Sequence, residues 1–404
     1  MTIETLDALA APSPGVTAAA GFRASGITAG LKASGRPDLA LVVNDGPSQV
    51  AAAVFTTNRV VGAPVTWSRQ AVADGVVSAV VLNSGGANVC TGPDGFLDVH
   101  RTAEKVGATL EISPGDVVVC STGLIGEPLP IGKVLAGVDT AVSQLSPTGG
   151  YDAAIAIMTT DTVPKTAHLT VPGDRGEWTV GGMAKGAGML APGLATMLCV
   201  ITTDAVVDAE TADAALRSAV SQTFDRLDSD GCMSTSDTVT LLVSGASGSA
   251  PDPAGFTAGL TQVCAQLARA LIADAEGASH DIAVTVMGAS TEAAGLAVAR
   301  AVARSNLFKA AMFGNDPNWG RVLAQVGTVP ESVAPYDPDQ LDVTINGVQV
   351  CKAGGAYRPR NEVDLAANRE VHVLIDLHAG PEVVTVWTND LTHDYVLENS
   401  AYST

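Results

Sequence analysis

Short runs of Val, Ile, Leu and Ala that are almost wholly apolar, set between Gly, Asn and Asp turns, constrain this chain more than any other feature. They fall at 39–44, 49–56, 77–83, 116–121, 196–202, 238–244 and 282–286. A strand with one wet face alternates apolar and polar residues, whereas a strand apolar throughout must be covered on both faces. Stretches of helical character alternate with these runs, at 96–107, 131–145, 208–221, 255–273, 291–305 and 307–313. The expected fold class is therefore α/β (α+β), with layered sheets sandwiched by helices. Beyond the Pro- and Asp-rich stretch 328–339, runs at 341–351, 370–377 and 383–388 predict an antiparallel group, with Ala379-Gly380-Pro381 turning between the last two strands. A smaller C-terminal α+β domain over 340–404 is expected, with 196–330 completing the main layered domain.

With 404 residues, the chain exceeds the ~250–300 at which a single core stops growing. Composition narrows the partners. A formal net charge of −20 without any basic cluster argues against nucleic acid and against an anionic membrane surface. No apolar run approaches the ~20 residues of a membrane-spanning helix. The opening MTIETLDALAAPSPG has no basic or apolar region of a secretory signal, so a cytoplasmic protein acting on small molecules is expected. Cys90, Cys120, Cys199, Cys232, Cys264 and Cys351 are scattered without CxxC or Cys/His ligand spacing, so buried free thiols are expected and metal is not.

The stretch KGAGMLAPGLATML, 185–198, raises the chemical question. A glycine-rich, proline-broken loop delivers Thr196 to the mouth of an apolar run. If the Ala195–Thr196 peptide bond is cut, the new α-amine, with an ordinary pKa of ~7.7–8.0, sits on the same residue as the hydroxyl. One residue then supplies both nucleophile and base. The hydroxyl can attack the preceding carbonyl before any amine exists, provided that the backbone upstream can kink, which Gly186, Gly188, Pro192 and Gly193 allow. The same residues also suit an ordinary loop entering a strand, with threonine chosen for its β propensity.

Other stretches carry similar pairs of readings. In VVVCSTGLIG, 117–126, a strand ends at Ser121-Thr122-Gly123, which suits either an oxyanion site or a tight turn. NSGGANVCTG, 83–92, resembles an anion nest but lacks the Walker lysine and GxGxxG spacing. FGNDPNWGR, 313–321, reads as a capped turn more readily than as a substrate lip. Lys185 could stabilise negative charge or sit at the surface. Glu276 stands at the expected end of a long helix before Gly277, a position mildly unfavourable for an acid. Asp230 and Asp237 read as turn formers.

Taken together, these stretches resemble the ornithine acetyltransferase family, also called glutamate N-acetyltransferase or ArgJ. The resemblance rests on KGAGMLAPGLATML with NSGGANVCTG, CSTGLIG, MTTDTVPK, STSDTV, GNDPNWGR and the terminal ENSAYST, in family order across nearly the whole chain. Ala187 stands where the family more often has serine, and Leu194 where methionine is common; neither removes a reacting group. The resemblance implies an ArgJ/DOM-like fold and autocatalytic cleavage between Ala195 and Thr196. The products would be an α chain, 1–195, and a β chain, 196–404, that stay together as α2β2 or a higher assembly. It implies Thr196 as nucleophile and Thr122 and Gly123 at the oxyanion. Substrate contacts would come from Lys185, Glu276, Asn399, Thr404, Thr196 itself and one of Thr159 and Thr160. The implied reaction moves acetyl from N2-acetylornithine to glutamate in arginine biosynthesis, without metal or organic cofactor, and leaves acetyl-CoA open as a second donor. Alternatives are a self-processed aminopeptidase or amidase of the same chemistry, and an uncleaved binding or scaffold protein.

Overall fold

The computed structural model describes residues 13–173, 176–191 and 197–401. Ala195, Thr196 and Thr404 lie outside the described residues. In chain order the strands are β1 (Phe22–Ile27), β2 (Leu39–Asn44), β3 (Val50–Phe55), β4 (Ala79–Gly86), β5 (Val117–Leu124), β6 (Lys165–Val171), β7 (Trp178–Lys185), β8 (Leu198–Thr203), β9 (Thr238–Val243), β10 (Asp281–Ala289), β11 (Asp342–Ile345), β12 (Val348–Lys352), β13 (Gly355–Ala356), β14 (Glu370–Asp376) and β15 (Glu382–Asn389). The helices are α1 (Ala63–Ala71), α2 (Gly92–Leu110), α3 (Ile131–Ser143), α4 (Gly150–Ala156), α5 (Ala209–Gln222), α6 (Pro253–Ala273), α7 (Glu292–Ala303), α8 (Asn306–Phe313), α9 (Trp319–Val326) and α10 (His393–Ala401).

Two sheets stack face to face. One has the order β1-β2-β4-β5 and the other β3-β9-β8-β7-β6. Pairing is antiparallel except at β4–β5 and β8–β9, where neighbouring strands run parallel. Side chains on a strand point alternately to opposite faces, and this alternation explains the unbroken apolar runs. In β8, Leu198 and Val200 turn inward against Ala40, Val42, Val80 and Leu82 of the first sheet. Their neighbours Cys199 and Ile201 turn outward into a core completed by Leu216 of α5 and Leu260, Val263 and Leu267 of α6. The outer face of the first sheet is closed by Val99, Val106, Val134 and Val138 from α2 and α3. Helix, sheet, sheet and helix thus form successive layers, as the apolar runs predict.

Capping sets the ends of the outer helices. Asp208 accepts the Thr211 N–H at 2.7 Å before α5, and Asp252 accepts the Gly255 N–H at 2.9 Å before α6, with Pro253 in the first turn. At its other end α6 stops at Ala273 with Asp274 as its cap residue. Gly277 therefore lies beyond the helix, and Glu276 is freed from the unfavourable helix terminus expected from the sequence.

A third sheet, β13-β12-β11-β14-β10-β15, packs on α7, α8 and α9. β10 lies between β14, which runs parallel to it, and β15, which runs antiparallel. The Ala379–Pro381 segment consequently crosses over β10 rather than closing a hairpin between the last two strands. The run 341–351 is itself a hairpin, β11 and β12, turning at Asn346-Gly347. This sheet draws on residues from both sides of the boundary expected at 330–340.

Candidate active site

The loop after β7 is glycine-rich yet held at almost every described residue. Gly186 N–H donates to Asp161 at 2.6 Å, and the Ala187 carbonyl accepts the Glu276 N–H at 3.0 Å. Met189 N–H donates to Asp230 at 2.6 Å, and the Leu190 carbonyl accepts the Ser229 N–H at 2.5 Å. Directly before β8, Met197 N–H donates to Asp237 at 3.0 Å and its carbonyl accepts the Thr238 N–H at 3.1 Å. Glycines give this segment its course, and distant chain fixes it. Asp230 closes a local turn by accepting the Cys232 N–H at 3.0 Å, as expected, but it and Asp237 also reach across the fold. Both accept backbone N–H groups of the segment that contains the Ala195–Thr196 bond. Asp237 is fully buried, and burial pushes its carboxyl well above the ordinary range.

Beside this loop lies a cavity of about 220 Å³. Thr122, Gly123, Thr159, Thr160, Lys185, Glu276 and Asn399, which the sequence singles out from stretches far apart, all line it. Thr122 and Gly123 close the carboxyl end of β5 against β4. Gly123 has φ +125°, and a Cβ there would stand 2.6 Å from the Gly86 nitrogen, so only glycine permits this approach.

Lys185 ends β7 and is buried, which draws its pKa down against the opposing charge of Asp161. Its Nζ donates to Thr159 Oγ1 at 2.6 Å and lies 3.8 Å from Asp161 Oδ2. Thr160 lines the cavity without this bond to lysine. Asp161, absent from the sequence-derived set, organises this wall. Its oxygens accept the Thr159 N–H at 2.9 Å, the Gly186 N–H, and Lys165 Nζ at 2.6 Å. Burial opposes its ionisation, but Lys185 and Lys165 outweigh burial and hold the carboxyl below the ordinary range. Lys165 also reaches Asp274 Oδ2 at 2.6 Å, and Asp274 accepts the Thr162 N–H at 2.9 Å.

The opposite wall is acidic. Glu276 accepts Asn399 Nδ2 at 2.9 Å. Gly188 packs on the Glu276 carboxylate so closely that a Cβ would meet it at 2.6 Å. Asp230, Cys232 and Tyr395 complete this side. Burial, with the charges of Asp230 and Glu276, raises the Tyr395 hydroxyl to about 12. Cys232 and Cys90 are exposed, in contrast to the four buried thiols, because each sits in a polar turn rather than an apolar strand or helix.

Two other stretches are structural. In 83–92, Thr91 bonds to Asn88, and Asn88 Nδ2 donates to the Gly95 carbonyl at 2.8 Å, forming the entry to α2. In 313–321, Asn318 caps α9 by accepting the Arg321 N–H at 3.2 Å. Among the described residues no group of three or more His, Cys, Asp or Glu is placed to hold a metal ion. No described helix is long and apolar enough to cross a membrane.

Comparison with known proteins bears on the family to which the chain belongs. The ArgJ family profile matches residues 23–404. The chain is 61% identical over 388 residues to the arginine biosynthesis bifunctional protein ArgJ of Streptomyces avermitilis, covering 96% of this chain and 99% of that protein. It is 55% identical over 396 residues to the protein of the same name from Mycobacterium leprae, covering 96% of each. A crystal structure of ornithine acetyltransferase with ornithine from Mycobacterium tuberculosis aligns at 56% identity and TM-score 0.43, over 46% of this chain and 96% of the solved one. On the extent of the family match and these identities, the chain belongs to the ArgJ family.

Proposed function

We propose that the chain is a self-cleaving N-terminal-threonine acetyltransferase of arginine biosynthesis. It moves acetyl from N2-acetylornithine to glutamate and also accepts an acetyl thioester, acetyl-CoA, as donor. The observation that carries this reading is one cavity bounded by Thr122 and Gly123, by Lys185 with Thr159, and by Glu276 with Asn399, beside the tied loop that leads into Ala195–Thr196.

Thr196 Oγ attacks the Ala195 carbonyl, the C–N bond breaks to give an ester and a free Thr196 amine, and water hydrolyses that ester, releasing the Ala195 carboxylate and the Thr196 hydroxyl and so leaving α and β chains. In turnover the same oxygen attacks the acetyl carbonyl, with the Thr196 amine taking its proton. Thr122 and the Gly123 N–H stabilise the oxyanion. Ornithine departs as an amine, and glutamate then attacks the acetyl-threonine ester. Glu276 receives the cationic arm of ornithine; Lys185 and Thr159 hold carboxylate. Asn399 orients Glu276, and Thr404 contributes at the chain end. Asp237 fixes the backbone on the far side of Thr196. The chains act in the cytoplasm as an α2β2 or higher assembly.

Intact mass and a transfer assay test the reading together. The wild type should yield two fragments and transfer acetyl; Thr196→Ala should remain whole and inactive. A variant without that hydroxyl that still transfers acetyl would overturn the proposal. Hydrolysis of acetylornithine at the same rate with and without glutamate would assign the chain instead to an amidase of this chemistry.

A further inference from the structure

The loop between β1 and β2 forms a wall that the transfer between two amino acids does not use. It is built around Asp38, a fully buried residue whose carboxylate accepts the N–H groups of Ala29 at 2.6 Å, Leu31 at 2.5 Å and Lys32 at 3.0 Å. A second tie comes from Lys133 of α3, whose Nζ donates to the Gly30 carbonyl at 2.7 Å. The loop is therefore held in place, and it presents Lys32 and Arg36.

These two cations line a cavity of about 820 Å³, far larger than the 220 Å³ cavity it adjoins. Gly123, Thr159 and Thr160 line both, so the larger cavity opens directly from the oxyanion end. Among the described residues its one lining acid is Asp161, whose oxygens are already engaged by Lys165 and by the Thr159 and Gly186 N–H groups. Leu31, Ala33, Gly85 and Leu124 supply apolar surface between the shared residues and the cations. Lys32 Nζ is steadied by the Pro37 and Met158 carbonyls at 2.8 and 2.6 Å. In a chain with 22 Lys and Arg against 42 Asp and Glu, such a cationic annex needs an anionic occupant to account for it. An amino-acid substrate is too small to fill it.

We propose that this annex holds the phosphate-bearing tail of an acyl thioester donor of the acetyl-CoA kind, with the thioester at Gly123, the linker along Leu31 and Leu124, and the phosphates at Lys32 and Arg36. The proposal deepens the reading above by assigning the second donor its own subsite. Thr196 Oγ attacks the thioester carbonyl and its proton passes to the Thr196 amine. The C–S bond breaks, the thiolate takes that proton, and the free thiol leaves. The acetyl-threonine ester that remains is the same one acetylornithine forms, and glutamate discharges it identically.

The test compares donors in the intact enzyme. Arg36 is exposed, so Arg36→Glu and Arg36→Ala should fold. Arg36→Glu should raise KM for acetyl-CoA about tenfold, and more at low than at high salt. Arg36→Ala should give a smaller rise of the same sign. Transfer from acetylornithine to glutamate should stay within about twofold in both variants, since that reaction does not use the annex. CoA should inhibit wild-type thioester turnover better than dephospho-CoA, and inorganic pyrophosphate should inhibit only weakly, which separates a tail subsite from a free-phosphate site. Equal effects on both donors, or none on either, would overturn the annex. Wild-type enzyme that transfers from acetylornithine but never from acetyl-CoA would overturn it too, while leaving the main reading intact. Absence of both transfers would instead sink the main reading.

Discussion

The two walls of the central cavity are built on different principles. On one side, Asp161, Lys165, Lys185 and Asp274 form a buried charge network with side chains between 0% and 7% exposed, each tied to the others or to backbone. On the other, Glu276 and Asn399 meet at the protein's edge, and Asn399 stands on α10, a helix with no buried residue. Tyr395 N–H donates to Thr392 Oγ1 at 3.0 Å, and that hydroxyl donates to the Gly277 carbonyl at 2.6 Å; these bonds are the base of the helix. Charges removed from water persist only if every partner is in place, so the first wall can adopt one arrangement. The second has water as an alternative partner and can adjust. Under the proposed reaction, a cationic ornithine arm in one half-reaction and an anionic glutamate arm in the next would be served by one fixed wall and one adaptable wall.

The contrast can be broken first at its rigid side. Asp161→Asn leaves Lys165 and Lys185 undercompensated and should cost about 3–5 kcal/mol, measured by denaturant unfolding. The sign with pH follows from the depressed carboxyl. Its stabilisation is present above the ordinary Asp value of ~3.9 and is lost as pH falls through the lower folded value. The gap between wild type and Asp161→Asn should therefore narrow below about pH 4. A gap independent of pH would show that the network is not electrostatic.

Gly188→Ala probes the junction of the two walls. A Cβ at this position meets the Glu276 carboxylate at 2.6 Å, the far end of a flexible side chain, so the carboxylate must swing aside at little cost to the fold. Acetylornithine KM should rise with little change in melting temperature; an unchanged KM would place Glu276 outside substrate recognition. The smallest effect belongs to Asn399→Ala, which removes two solvent-exposed hydrogen bonds, to Glu276 and to the Tyr395 carbonyl, that water can replace. KM should rise two- to fivefold or so with stability unaltered. A loss as large as that of Asp161→Asn would show that α10 is not the adaptable side.

What the sequence could reveal follows the same division. The central strands were legible because two covered faces leave an unbroken apolar run, as in LALVVN of β2, buried at all six positions. β1 (FRASGI) and β7 (WTVGGMAK) escaped, since glycine and polar residues interrupt them where backbone from the η-turn at Gly15–Thr17 and from α4 packs close. The gathering of Thr122, Gly123, Lys185, Glu276 and Asn399 was legible only through the family pattern. Asp161 was not singled out, although its spacing of four from Lys165 was a weak signal, because its role depends on a lysine and an amide from β7 and the loop beyond it. Asp230 and Asp237 read as turn residues in the sequence because the N–H groups that donate to them across the fold, those of Met189 and Met197, come from a segment about forty residues away. No periodicity encodes such a pairing.

The five-stranded sheet gives the 195–196 bond a wider meaning. β8 and β9 lie inside it, with β3 on one flank and β7 and β6 on the other. A cut at 195–196 would assign those inner strands to one piece and the flanking strands to the other, so the two pieces interlock like the fingers of folded hands. Neither can withdraw without stripping both the β3–β9 and β7–β8 ladders and opening the layers above and below. Scission would free an amine while leaving the halves to melt as one body.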